Sequence, residues 1–142
     1  MSAFGTWEVL SREDFERCLP LCGTAAFPPA WQRAVVRRKD FDHSGYVLGN
    51  YVDAQAELNQ LRLFDEESDV ARQLARAFTA AYVFDNPVPL PELPPERLAE
   101  YCRDEYGAEG DSLVEPLRAA HAFFTQGLRE VNDENLVVFV IR

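Results

Sequence analysis

The sequence predicts a mainly α fold: an α-rich α+β domain in which N- and C-terminal strands form a small sheet beside roughly five or six helices. Three observations carry this. Apolar residues recur at three- and four-residue spacing through most of the chain. One continuous apolar run, Leu136 to Ile141, lies between polar residues near the end. A proline-dense stretch at 86–95, with five prolines between Pro87 and Pro95, can be neither helix nor central strand. At 142 residues the chain fits one domain over 1–142, with that stretch as an extended surface strap.

In order, Thr6 to Leu10 is the expected partner of Leu136 to Ile141, because a lone strand leaves its backbone groups unpaired. Ser11-Arg12-Glu13-Asp14 starts a short helix through Phe15 and Leu19 in the manner of a capping box. Pro28-Pro29 opens a helix containing Trp31, Val35 and Val36. Residues 46–63 favour one helix, although Tyr46 to Val52 is also rich in strand formers. Val70, Leu74, Phe78, Ala81 and Tyr82 read as one helical stripe, with the acids from Asp65 to Asp69 at its positive end. Leu98, Tyr101 and Cys102 form a briefer stripe after Pro95, which Gly107 ends. Leu113, Leu117, Phe124, Leu128 and Val131 make the longest stripe, with Pro116 tolerated near its first turn.

The charge narrows the partners. Twenty-four acids against 14 bases give a net charge of −10, the larger share of it in the second half. Such a surface repels phosphates and anionic lipids, so neither nucleic acid nor membrane is expected, whereas a basic protein would be steered towards it. No apolar run spans a bilayer and no export signal is visible at Met1 to Gly5, so a cytoplasmic protein is expected. Cys18, Cys22 and Cys102 are an odd number at the wrong density for a disulfide framework and read as reduced core thiols. Lys39 is the only lysine; that arginine skew goes with a GC-rich, bacterial genome. No G-x-G-x-x-G, phosphate loop, G-x-S-x-G or H-E-x-x-H is present, so no cofactor and no catalytic set are expected.

One segment resembles a calcium loop. Asp40, Asp42 and Ser44 place oxygens at alternate positions, Gly45 follows, and Val47 supplies an apolar residue. The segment is similar to the first eight positions of an EF-hand loop, and the resemblance implies Asp40, Asp42, Ser44 and the Tyr46 carbonyl as weak candidate calcium ligands. The twelfth position, where the family has a bidentate Glu, is Tyr51, and no second loop pairs with it. A polar turn with Gly45 at positive φ is the simpler reading. His43 has Asp42 and Ser44 as sequence neighbours, which cannot converge on one atom as a triad. His121, with Glu115, would belong to an inter-helix pocket if the chain bound a small molecule.

The acidic row is the main candidate site. Glu92, Glu96, Glu100 and Asp104 recur every four residues, so a helix from Pro95 aligns the last three, and like charges at that spacing oppose stability. The function expected is that of a small acidic inhibitor, immunity or antitoxin-type protein masking a basic surface on a partner. Glu96, Glu100, Asp104, Glu105, Glu109 and Asp111 would supply the charge, and Tyr101 and Tyr106 the anchors. Arg33, Arg37, Arg38 and Lys39 form an opposing basic cluster, available to pair with the row within the fold or between subunits. A homodimer paired through Leu136 to Ile141 is the other arrangement allowed.

Overall fold

A computed structural model describes residues 3–142. Its elements run β1 (Gly5–Ser11), α1 (Arg12–Cys18), α2 (Phe27–Ala34), β2 (Arg37–Asp40), α3 (Tyr46–Asn59), α4 (Asp69–Leu74), β3 (Ala80–Phe84), α5 (Pro95–Tyr106), α6 (Val114–Leu128) and β4 (Asn135–Ile141). Short 3-10 segments occupy Leu19–Leu21 and Gly107–Leu113. The four strands form one sheet in the order β2-β1-β4-β3, antiparallel throughout. The mainly α expectation is thereby corrected: this is an α+β fold, and its sheet has four strands where two were expected.

The two central strands, β1 and β4, are buried on both faces, and each alternates between two cores. Trp7 and Val9 of β1, with Val137, Phe139 and Ile141 of β4, face a layer of α3, α5 and α6. Leu10, with Leu136, Val138 and Val140, faces α1, α2 and the Leu74–Phe78 region. Double burial is why Leu136 to Ile141 is apolar at every position rather than at alternate ones. Because β4 has neighbours on both edges, it cannot be the edge through which two copies pair.

The two unexpected strands lie at the edges. The helical stripe expected from Val70 to Ala81 and Tyr82 is overturned: α4 stops at Leu74, and Ala81 and Tyr82 lie in β3. From Ala81 the side chains alternate, Ala81 towards one core and Tyr82 and Phe84 towards the other. The open ladder of β4 recruits this β-branched and aromatic segment over its helical spacing. β2 has no hydrophobic pattern, since Arg37, Arg38, Lys39 and Asp40 are all exposed. Val35 and Val36, expected in α2, follow its last residue and lead into β2. The Ser11 cap holds, its hydroxyl accepting from the Asp14 N–H at 3.0 Å. Residues 87–94 form neither helix nor strand, and the Gln55 amide donates to the Pro91 carbonyl at 2.7 Å.

Candidate functional site on the acidic face of α5

Helix α5 begins at Pro95 and ends where Gly107 takes φ +67°. Leu98 and Cys102 bury one stripe against α3 and α6. That leaves Glu96, Glu100 and Asp104 on the opposite side, all exposed, and Glu105 and Glu109 are exposed as well. The 3-10 segment folds back beside α5 because Gly110 packs on its backbone: a Cβ there would lie 2.2 Å from the Cys102 carbonyl oxygen. Asp111 accepts from Arg103 Nε at 2.9 Å, the one ion pair formed by any of these six acids among the described residues. Asp104 and Glu105 sit at the negative end of the helix dipole, where carboxylates are unfavourable.

Tyr101 and Tyr106 are half-buried beside this face, their rings edge-to-face with centroids 6.3 Å apart. Burial pushes both phenols above their ordinary range, and Glu105 and Asp53 of α3 push them further. Asp53 itself is raised by burial and by Glu66.

The basic cluster does not neutralise this row. Arg37 pairs with Glu130 at 2.7 Å and Arg38 with Asp40 at 3.1 Å, while Lys39 donates to Gln126 at 2.7 Å. All three sit on β2 or its rim, away from α5.

The 40–51 segment is entered from a strand, so no helix–loop–helix forms. Tyr51 lies inside α3, fully buried, its hydroxyl 2.6 Å from His121 Nδ1 and accepting from Gln55 Nε2 at 2.8 Å. Gly45 has φ −58°, not the positive φ expected of it. Its need is space: a Cβ would stand 2.7 Å from the Phe4 carbonyl carbon. Among the described residues no three His, Cys, Asp or Glu side chains converge as a metal site. His43 and His121 do line a common cavity of about 540 Å³ between this segment and α6. Glu115, expected to join His121, pairs instead with Arg118 at 3.0 Å.

One polar cluster was missed altogether. Glu8, at the middle of β1 and 1% exposed, accepts from Trp31 Nε1 at 2.7 Å and from the Thr6 hydroxyl. Arg142 donates to both its oxygens, at 2.6 and 3.1 Å, with its guanidinium 5.1 Å from the Phe78 ring centroid. Burial raises the Glu8 pKa, and the bonds from Arg142, Thr6 and Trp31 outweigh it, holding the carboxyl below its ordinary value. Above it opens a cavity of about 890 Å³. The available signal was an acid inside the otherwise apolar Trp7-Glu8-Val9-Leu10 run.

No protein family, no curated protein and no solved structure matches the chain.

Proposed function

We propose that this chain is a small acidic protein-binding domain, of the bacterial inhibitor or immunity type, whose α5 face covers a basic surface on a partner in the cytoplasm. The observation that carries the reading is the set of exposed carboxylates at Glu96, Glu100, Asp104, Glu105 and Glu109, which the chain's own arginines leave unpaired while Asp111 alone is bridged. Carboxylates aligned at four-residue spacing, with Asp104 and the neighbouring Glu105 at the wrong end of a helix dipole, cost the fold a little and favour a complementary ligand. Tyr101 and Tyr106 beside them provide apolar area of the kind that dominates interface energetics.

The test compares the wild-type chain with Glu96→Lys/Glu100→Lys/Asp104→Lys. Partners are recovered by crosslinking from the cells that make the protein, and their association rates are measured between about 0.05 and 0.5 M salt. The reading expects a partner with a basic surface, an association rate that drops steeply with salt, and a loss of about tenfold or more in the folded variant. Partners held equally well by the variant, or rates indifferent to salt, would rule it out. Glu100→Gln/Asp104→Asn should leave stability unchanged or raise it by a few tenths of a kcal/mol, since it removes only repulsion.

A further inference from the structure

The cavity above Glu8 lies on the other side of the sheet from α5 and shares no residue with the acidic face. We propose that it binds a small carboxylate with a flat apolar body, with Arg142 as the anchor. Its volume of about 890 Å³ is in the range of small-molecule sites.

Arg142 is positioned for that role from both ends. Its backbone N–H donates to the Phe4 carbonyl at 2.8 Å and its carbonyl accepts from the Phe4 N–H at 3.1 Å. Its guanidinium spends Nη1 on Thr6 and Glu8 and one Nη2 hydrogen on Glu8. Among the described residues nothing accepts from the Nε–H or the second Nη2–H, on a side chain 38% exposed. A donor pair already fixed in direction loses little freedom when a carboxylate docks on it. Glu8 orients the anchor and is not itself an acceptor for the ligand, because each of its oxygens already has two donors.

The surroundings select the sign of the charge. Arg37, Arg38 and Arg142 line the cavity against Glu8 alone, a basic surplus in a chain of net charge −10. The Arg38–Asp40 pair is largely exposed and offsets little of that surplus, whereas Arg37 is paired at 2.7 Å with the more buried Glu130, so Arg38 and Arg142 carry most of it. A cationic ligand is disfavoured, since Arg142 already fills the place beside Glu8. The walls select the body: Phe27, Trp31 and Phe78 form a mutually packed aromatic set with centroids 5.3, 5.5 and 5.3 Å apart. Val36, 62% exposed, stands at the mouth.

The experiment is calorimetric titration of the intact chain with naphthalene-2-carboxylate, the neutral naphthalene-2-methanol and the cationic naphthalene-2-methylammonium. The carboxylate is expected to saturate one site, the alcohol to bind about tenfold more weakly or worse, and the ammonium not to bind. Arg38→Gln should weaken the carboxylate a few-fold and Arg142→Gln by about tenfold or more, whereas Lys39→Gln, in the other cavity, should change nothing. Equal binding of alcohol and carboxylate overturns the anionic specificity. No saturation by the carboxylate up to about 10 mM overturns the site itself. Should Arg142→Gln fail to fold, the three ligands on the unaltered chain and the exposed Arg38→Gln variant still decide between these outcomes.

Discussion

A carboxylate at the centre of a doubly covered sheet persists only because donors converge on it. Glu8 has those donors in Trp31, Thr6 and Arg142, and the last is supplied from 134 residues away. Arg142→Gln leaves the carboxylate buried without its countercharge; allowing for the exposure of the arginine, the expected loss is about 2–3 kcal/mol in urea denaturation at pH 7. Glu8→Gln/Arg142→Gln should recover part of it. The pH dependence has a definite sign. The folded pKa of Glu8 lies below the ordinary 4.5, so its stabilisation is complete above that value and is lost as pH falls through the folded pKa. In Glu8→Gln that part of the acid slope should vanish; an unchanged slope would contradict the assignment. A lone acid in an alternating strand reads as the solvent-facing position, which is why Glu8, although it interrupts an apolar run, does not read as buried from its neighbours alone.

Among the elements, helices with their own caps and breaks were legible and edge strands were not. Ser11, Pro95 and Gly107 act on their immediate neighbours, so their effect can be read from a few residues. β2 is four exposed charged residues, a composition that discourages edge-to-edge association and carries no periodic signal. β3 has a signal of period two, but it overlaps the helical spacing begun at Val70. The turn from α5 into Gly107–Leu113 offers a test. Gly107→Ala meets open space, so only its φ of +67° opposes it, at about 1–3 kcal/mol. Gly110→Ala must displace the Cys102 backbone. The expected order in thermal unfolding is therefore a larger loss for Gly110→Ala, together with weaker partner binding as Glu109 and Asp111 shift. The reverse order would mean that this segment does not pack on α5.

At the scale of the whole molecule, stability should fail at alkaline pH through buried phenols. Burial pushes both Tyr51 and Tyr82 up to about 12, with the Gln55 hydrogen bond partly opposing it at Tyr51 and Asp53 and Glu66 adding to it at Tyr82. A raised folded pKa means that the contribution is full below the ordinary value of 10 and is lost as pH climbs towards 12. Each phenol accounts for roughly 3 kcal/mol of that loss. Tyr51→Phe should flatten the fall measured by urea denaturation between pH 10 and 12; an equal fall in the variant would show that other groups drive it. The same fold separates its charges, with the free carboxylates on α5 and the arginine-lined cavity behind the sheet. No helix among the described residues is long and apolar enough to cross a membrane.

Composition and local pattern by themselves determined the acidic balance, the α5 carboxylate row, the absence of helix or strand across 87–94, and the pairing of the first and last strands. Each depends on residues within a turn or two of one another, or on a run too apolar to be left uncovered. Only the tertiary structure decided that β2 and β3 would join the sheet, that Arg37 and Arg38 would pair with Glu130 and Asp40 instead of the α5 acids, and that Glu8, Trp31 and Arg142 would meet. Those outcomes rest on hydrogen-bond ladders and ion pairs between segments far apart in the chain, whose free energy exists only once the sheet has brought them together.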